Sequence, residues 1–581
     1  LESPEVKKFM TWDYVVFAAL FLVSASIGVF FAVKERKKKT SNEFLVGGKQ
    51  MTCGPIAFSL TSSFMSAVTV LGTPSEVYRY GASFVLFFLS YTLVIIFTAE
   101  LFLPVFYRSG ITSTYEYLEL RFNKIVRLAT TYLYFANNFV FIGFAVTGFD
   151  LWGSVAATGI VCTFYCTLGG LRAVVWTDAF QMIVMVAGFV TVLIRGTSLN
   201  GGSTKVWEDA HEGSRLNIFD FDVDPLRRHT FWTIVIGGTF TWLGLYGVNQ
   251  STIQRCISCK SEKHAKLALY LNLLGLWTVL VCAVFCGLVM YSYYKSCDPW
   301  TAGFISAPDQ LMPYFVMDIF SSMPGVPGLF VACAFSGTLS TVAASINALA
   351  TVTFEDLVKK CFPNLSEKMS TWISKGLCIF YGVLCTSMAA AASLLGGVVQ
   401  ASLSIHGMCG GPMLGLFTLG IVFPCANWKG ALGGLLAGIS LAFWAGTGSF
   451  IYPAPPTKSI PLQLSTLNCT LANTTELLLS PLHRPLLADT WYSLSYLYFS
   501  AIGSMGCAIT GLLISLITGW CSKHTETYIY IHTYIKKNVF KKSSRAAPGT
   551  NNQAVLHSPA PELLLSTSPT ATGPAILRPG V

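Results

Sequence analysis

Long apolar runs follow one another along most of the chain and are separated by short polar segments. Most runs reach the roughly 20 residues that a helix needs to cross the hydrocarbon core of a bilayer. The pattern therefore predicts an all-α membrane protein with about thirteen membrane-spanning helices. The predicted spans are 13–33, 54–72, 83–106, 126–146, 151–168, 174–194, 230–249, 266–291, 325–351, 371–395, 397–423, 429–451 and 493–518.

Two groups of five spans predict an internal repeat. The first group lies within 54–195 and the second within 230–423. Because five is an odd number, the second group crosses the membrane in the opposite sense to the first. Inverted repeats of this kind hold substrate and ions near the midplane, beside helices that are interrupted at matching positions. Stretches rich in hydroxyls and glycines predict the interruptions at 62–69 and 237–246.

Small residues can instead mark faces where membrane helices pack closely. Gly430, Gly434 and Gly438 are spaced by four residues, so they lie on one face of a helix. For these three glycines we prefer the packing interpretation.

Basic residues stand next to the ends of the apolar runs. They concentrate in segments 34–39, 121–127, 255–266, 359–375 and after 521. All of these segments fall on one side of the predicted topology, which the positive-inside rule assigns to the cytoplasm. The chain is 53% hydrophobic and 11% charged, and these loops explain its net charge of +10 better than a nucleic-acid partner does.

This orientation divides the chain into regions. Its tail is rich in Pro, Ser, Thr and Ala, a composition typical of disorder. The regions are an extracellular N-terminus (1–12), the first helix with a basic cytoplasmic loop (13–53), the first repeat (54–195), an extracellular loop (196–229), the second repeat (230–423), the last two helices with a long extracellular loop (424–520, loop 452–492) and a disordered cytoplasmic tail (521–581).

The long outer loop contains two glycosylation sequons, at Asn468 and Asn473. Attachment of a glycan requires this extracellular placement. Cys297 and Cys469 both fall in outer loops, where the oxidising surroundings permit a disulfide between them.

Two hydroxyl clusters inside apolar spans indicate a cation site. Ser340 and Thr341 lie three and four residues after Gly337, on one helix face, and a second cluster occupies 60–69. Uncharged oxygens bind a small hard cation weakly enough to release it, which favours a sodium-coupled carrier. The alternative is that each hydroxyl only bonds the carbonyl four residues back.

An enzyme is not expected. No nucleophile–base arrangement or phosphate-binding glycine loop is present in the sequence. The pair Cys256 and Cys259 has no second pair to complete a metal site.

Several strings resemble a known family. They are Phe64-Met-Ser-Ala-Val-Thr-Val-Leu-Gly-Thr-Pro-Ser-Glu-Val-Tyr78, Arg108-Ser-Gly-Ile-Thr-Ser-Thr-Tyr-Glu-Tyr117, Trp176-Thr-Asp-Ala-Phe-Gln181, Tyr246-Gly-Val-Asn-Gln250 and Ser336-Gly-Thr-Leu-Ser-Thr341. The chain resembles the solute:sodium symporter family, and within it the sodium-coupled monocarboxylate transporters, nearest the low-affinity electroneutral type. The resemblance implies a LeuT-like fold.

The resemblance also implies an ion pathway. Sodium would bind the backbone carbonyls of Ser62, Met65 and Gly337 and the hydroxyls of Ser340 and Thr341. Asp178 and Gln181 match an element that serves as an inner ion-release station. The alternative for Asp178 is an interfacial carboxylate near the cytoplasmic helix end.

The centres of the two interrupted helices contain no Lys or Arg. The charge of an anionic substrate would then be met by helix N-termini, hydroxyls and sodium. The candidate substrate residues are Ser66, Thr69, Thr239, Trp242 and Tyr246. Trp242 and Tyr246 could equally be packing aromatics.

The resemblance implies sodium-coupled symport of lactate, pyruvate, nicotinate or short-chain fatty acids by alternating access. The expected location is the plasma membrane, in epithelial cells its apical face, and the expected partners are Na⁺, monocarboxylate anions and the lipid bilayer. No cofactor is expected besides the transported sodium. One alternative is another cargo on the same fold, such as iodide, a vitamin or a sugar. A second is a non-transporting variant, because the span 126–146 lacks a segment that the family has.

Overall fold

The computed structural model describes residues 10–34, 41–66, 68–146, 152–305, 307–392, 398–455, 458, 461–465, 469 and 486–518. The sequons at Asn468 and Asn473 and the tail 521–581 lie outside these residues. The described chain is a helical membrane protein, and its isolated β-bridge joins Met51 to Cys259.

The α-helices are numbered in chain order. They are α1 (Thr11–Lys34), α2 (Ser41–Val46), α3 (Cys53–Phe64), α4 (Thr73–Tyr80), α5 (Phe87–Phe97), α6 (Leu103–Ser109), α7 (Thr114–Arg121), α8 (Lys124–Val146), α9 (Trp152–Leu199), α10 (Ser203–Glu212), α11 (Gly238–Tyr246), α12 (Gln250–Ile257), α13 (Glu262–Tyr293), α14 (Leu311–Ile319), α15 (Val326–Thr353), α16 (Lys359–Cys361), α17 (Glu367–Ala392), α18 (Val398–Val422), α19 (Trp428–Ile451) and α20 (Tyr498–Ile517).

Eight stretches among the described residues are long and apolar enough to cross a membrane, and a bent pair of helices makes a possible ninth. Thirteen spans therefore stay a prediction. One of the eight, Thr158–Leu199, covers two of the predicted spans, and Gly170 interrupts the helix between them with φ 56° and ψ −155°. Its 42 residues would extend about 63 Å as one straight helix, twice the roughly 30 Å of a hydrocarbon core.

The first predicted interruption is present. Helix α3 ends at Phe64, the next two residues are not helical, and a π-helical turn at Val68–Gly72 leads into α4. The two halves of this broken helix are bent by 61°. The expectation of an interruption within 62–69 is therefore confirmed.

The second predicted interruption, at 237–246, is wrong in position. That segment is helical, and the break falls at 247–249, between α11 and α12. The Thr239 and Thr241 hydroxyls each donate a hydrogen bond to the carbonyl four residues back. The hydroxyls are therefore satisfied within the helix, and the helix continues through them. Asn249 then begins α12, where its side chain accepts a hydrogen bond from the Ser251 amide.

The span that departs from the family pattern forms α8, a helix of 23 residues. This length reaches the roughly 20 residues needed to cross a bilayer. Arg127 anchors its first turn through ion pairs with Glu119 and Asp356. The length of the helix therefore gives no reason to prefer a non-transporting variant.

The loops that carry Cys297 and Cys469 are tied to the helical core. Cys297 and Cys469 form a disulfide with their Cα atoms 5.2 Å apart. The neighbouring Asp298 accepts a hydrogen bond of 2.8 Å from the Tyr78 hydroxyl at the end of α4, and its amide donates to the Ser465 carbonyl. The segment that precedes Cys469 is thus fixed to α4, the second half of the broken helix.

The glycine stripe on α19 packs against α20. A Cβ atom on Gly434 would lie 2.4 Å from the Cys507 carbonyl oxygen, and one on Gly438 would lie 2.6 Å from that of Gly503. Gly430 likewise faces Ser515 and Gly511. The packing interpretation of these glycines is confirmed.

Substitution of Gly434 by alanine should lower the stability of the protein. The added methyl group would collide with the α20 backbone, and such overpacking costs roughly 1–3 kcal/mol. Gly376→Ala is a matched control, because a Cβ there meets no heavy atom within 4 Å. We expect the melting temperature of the purified protein to fall for Gly434→Ala and to hold or rise for Gly376→Ala. Equal melting temperatures would show that α19 and α20 can separate without cost.

Candidate sodium and substrate site

The middle of α15 meets the broken helix at the point of interruption. Gly337 allows this approach, since a Cβ there would lie 2.5 Å from the Met65 carbonyl oxygen. The Thr341 hydroxyl donates to the carbonyls of Ser63 and Gly337 over 2.7 and 2.8 Å. The hydroxyls of Ser340 and Ser63 are 2.7 Å apart. The structure thus brings together four of the five predicted sodium ligands, together with Ser63.

Ser62, the fifth predicted ligand, is fully buried directly before Ser63. Its hydroxyl has no hydrogen-bond partner among the described residues. The roles of all five in binding sodium stay predictions. What the structure adds is a buried cluster of uncharged oxygens, because Ser62, Ser340 and Thr341 are at most 4% exposed and Ser63 is 7% exposed.

Ser63 has a role that its position in the sequence does not reveal. It belongs to the predicted hydroxyl cluster at 60–69 but is not among the five predicted sodium ligands. Its hydroxyl contacts Ser340, and its carbonyl accepts from Thr341. Its position near the end of α3 is the feature that could have identified it. Ser63 lies one residue before that end, where backbone groups of the helix lack partners within the helix.

A buried ion pair adjoins this cluster. Arg255 Nη1 lies 3.7 Å from Asp178 Oδ2, with side-chain exposures of 1% and 0%. The same guanidinium nitrogen donates to the Ser59 carbonyl at 2.7 Å and to the Ser63 hydroxyl at 2.8 Å. The Ser59 hydroxyl in turn donates to Asp178 at 2.6 Å. Ser63 therefore links the ion pair to the predicted sodium ligands.

This arrangement corrects two expectations. Arg255 does not belong to a cytoplasmic basic loop, because it points from α12 into the protein interior. Asp178 is not an interfacial carboxylate, because it is fully buried among Ser59, Ser63 and Arg255. Its role in releasing the ion stays a prediction.

Gln181 lies one turn beyond Asp178 on α9, so the two side chains share a helix face. It is fully buried, and neither its amide oxygen nor its amide nitrogen has a hydrogen-bond partner among the described residues. Such groups are costly to bury unsatisfied, which marks Gln181 as a position where an ion or water could bind.

A cavity opens beside the cluster. Residues with hydroxyl groups, Arg255 and several aromatic residues line it. The lining residues are Ser63, Phe64, Ser66, Thr69, Thr73, Phe84, Phe87, Tyr91, Asn138, Trp242, Leu245, Asn249, Ser251, Arg255, Thr341, Ala344, Ser345, Ser402, Leu403 and His406.

Three of the five predicted substrate residues, Ser66, Thr69 and Trp242, line this cavity. The other two do not. The Thr239 hydroxyl bonds a carbonyl of its own helix, as described above. Tyr246 stacks on Phe64 with ring centroids 3.9 Å apart, and its hydroxyl accepts a hydrogen bond from an asparagine on α13. Its surroundings favour the packing alternative.

A broken helix, facing hydroxyls and a cavity lined on one side by a buried cation define a multi-pass membrane carrier. The chain belongs to the sodium:solute symporter family, whose sequence model matches residues 44–438. The human protein named sodium-coupled monocarboxylate transporter 2 is 72% identical over 528 residues, which cover 89% of this chain and 85% of that protein. Human sodium-coupled monocarboxylate transporter 1 is 53% identical over 594 residues, covering 96% and 97%.

A solved structure shares the fold. It is that of a Na⁺-coupled sialic acid symporter in a substrate-bound outward-open state, and its TM-score is 0.72 at 20% sequence identity. The match covers 89% of this chain and 100% of that chain.

Removal of the Ser340 hydroxyl should weaken sodium binding. Ser340→Ala loses an oxygen at the contact with Ser63, and we expect roughly tenfold more sodium to be needed for half-maximal stabilisation. The measurement is the melting temperature of the purified protein against sodium concentration, with choline replacing sodium. Ser336→Ala is the matched control, because among the described residues that hydroxyl bonds the Ala332 carbonyl of its own helix, at 2.7 Å. The same sodium dependence in both variants would exclude Ser340 as a ligand.

Proposed function

We propose that this protein couples the entry of Na⁺ to that of small monocarboxylate anions across the plasma membrane by alternating access. The observation that carries the proposal is the composition of one cavity. Thr341 and Ser63 offer uncharged oxygens suited to sodium, and Arg255, which lines the same cavity, offers a buried guanidinium suited to a carboxylate. The relative that is 72% identical bears the name of a transporter of this type.

The cavity also bears on the class of cargo. A planar guanidinium recognises carboxylates through paired N–H groups, whereas a neutral sugar gains no such ionic contact. The rings of Phe84, Phe87, Tyr91 and Trp242 suit the short apolar chain of a fatty acid or the ring of nicotinate. Lactate, pyruvate, nicotinate and short-chain fatty acids are the cargo we propose, in preference to a sugar.

The coupling energy sets what the transporter can achieve. A tenfold sodium gradient supplies about 1.4 kcal/mol per ion, enough to concentrate the anion about tenfold. One sodium moved with one monocarboxylate carries no net charge, so the membrane potential adds nothing. We propose this electroneutral ratio, which suits uptake of abundant substrates.

The outer disulfide supports a surface location. A bond between Cys297 and Cys469 is stable in an oxidising compartment. The two sequons at Asn468 and Asn473 fit the same outer side. We propose a glycosylated protein of the plasma membrane, at the apical face in epithelia.

Uptake of labelled L-lactate tests the transport proposal. Cells that express this chain should accumulate lactate in sodium buffer and lose most of this uptake when choline replaces sodium. Nicotinate should compete, and glucose should not. Surface delivery is checked by biotinylation. Uptake at background level from protein that has reached the surface would favour the non-transporting alternative.

Electrical recording tests the stoichiometry. Addition of lactate in sodium buffer should produce no current at any holding potential, because the two transported charges cancel. A sodium-dependent inward current would indicate a second sodium, whose movement gains about 2.3 kcal/mol per 100 mV. Such a current would contradict the one-to-one ratio and leave the cargo assignment intact.

A further inference from the structure

Asp178 and Arg255 form a buried pair whose charges cancel. They lie on different helices, α9 and α12, and both contact the Ser59 and Ser63 hydroxyls of the broken helix. A buried ion pair is weak evidence for stability, because desolvation of the two charges offsets most of their attraction. Its position beside the predicted sodium ligands calls for another explanation.

Each member of the pair has one polar atom that makes no hydrogen bond to the described residues. Asp178 Oδ1 and Arg255 Nη2 are buried, and neither has a hydrogen-bond partner among the described residues. An unpartnered carboxylate oxygen is a position for a cation, and an unpartnered guanidinium N–H group is one for a carboxylate. Arg255 also lines the cavity, whereas Asp178 lies behind Ser63.

Coulomb forces connect these positions to the transported ions. The Ser63 hydroxyl is 2.8 Å from Arg255 Nη1 and 2.7 Å from the Ser340 hydroxyl. The Ser340 oxygen thus lies within about 6 Å of the guanidinium, a distance at which two unit charges change each other's binding by roughly tenfold to a hundredfold. While the pair is neutral, sodium alone leaves one uncompensated positive charge in a dry site, and a carboxylate alone leaves one negative charge.

We propose that Asp178 and Arg255 cancel each other's charge and thereby keep the binding of sodium and of the monocarboxylate dependent on each other. The two ions together restore neutrality, so each raises the affinity of the site for the other, by the same factor in both directions. This inference rests on the proposed function and adds to it the two residues whose balanced charges keep the site neutral. Both are positioning residues for the coupling, in addition to any direct contact they make with an ion.

The pair predicts opposite defects in two variants. Arg255→Gln leaves Asp178 as an uncompensated negative charge, so the site should bind Na⁺ about tenfold or more tightly without an anion and should reject lactate. Asp178→Asn leaves Arg255 uncompensated, so the site should bind lactate without sodium and should reject Na⁺. The double variant removes both charges and should return to the joint requirement of the wild type.

The measurement is thermal unfolding of the purified full-length protein in choline gluconate, sodium gluconate, choline L-lactate and sodium L-lactate. We expect the wild type and the double variant to be stabilised mainly by sodium lactate. Arg255→Gln should respond to sodium gluconate, and Asp178→Asn to choline lactate. A purely structural role would destabilise both single variants alike and would not produce this reversal of ligand preference.

Three results would overturn the inference. They are single variants with the ligand preference of the wild type, single variants that lose both ligands equally, and a folded double variant that binds neither. If one single variant fails to fold, the other single variant decides the matter, because each predicts its own reversal of ligand preference. Lactate uptake by wild-type cells, with and without sodium, is measured in parallel. Its absence refutes the proposed function, whereas its presence beside one of these three results refutes only the role of the pair.

Discussion

The contact between the middle of α15 and the end of α3 determines the rest of the site. Gly337 lies at the centre of this contact. Because glycine has no side chain, α15 approaches the Met65 carbonyl more closely than any other residue at this position would allow. Around this point, Thr341 bonds the Ser63 carbonyl and Ser340 meets the Ser63 hydroxyl. An apolar contact at this place would bury the unbonded carbonyls of the helix end at a cost of about 1–3 kcal/mol each. The polar contact satisfies them and leaves oxygens available to a cation.

The same contact explains why a carrier can use such a site. A carboxylate directly on sodium in a dry interior would bind it strongly and release it slowly. Hydroxyls and carbonyls carry no formal charge, and they can hydrogen-bond one another, as Thr341 bonds the Ser63 and Gly337 carbonyls here. The negative charge is carried by Asp178, which lies behind these uncharged oxygens. The positive charge of Arg255 compensates it.

The parts of the site that could be predicted from sequence were those set by local spacing. Gly337, Ser340 and Thr341 share a helix face whatever surrounds them, so their convergence followed from the sequence order. The interruption at Met65 could likewise be predicted, because a run of hydroxyl-bearing residues marks it. By contrast, Thr239 has the same appearance in sequence, but its hydroxyl bonds its own helix. Whether a hydroxyl bonds its own helix or lies at an interruption of that helix depends on its neighbours in space.

Arg255 could not be placed by the same reasoning. It stands at the start of a segment that continues with several lysines, so charge counting assigned it to the cytoplasmic loop. Its direction depends on the break at 247–249 and on the Asn249 cap, which turn α12 so that this side chain points inward. Burial of an arginine requires acceptors, and Ser59, Ser63 and the Ser251 carbonyl supply them from two separate helices. Since those acceptors lie up to 196 residues away in sequence, only the folded chain shows that the positive charge faces the cavity.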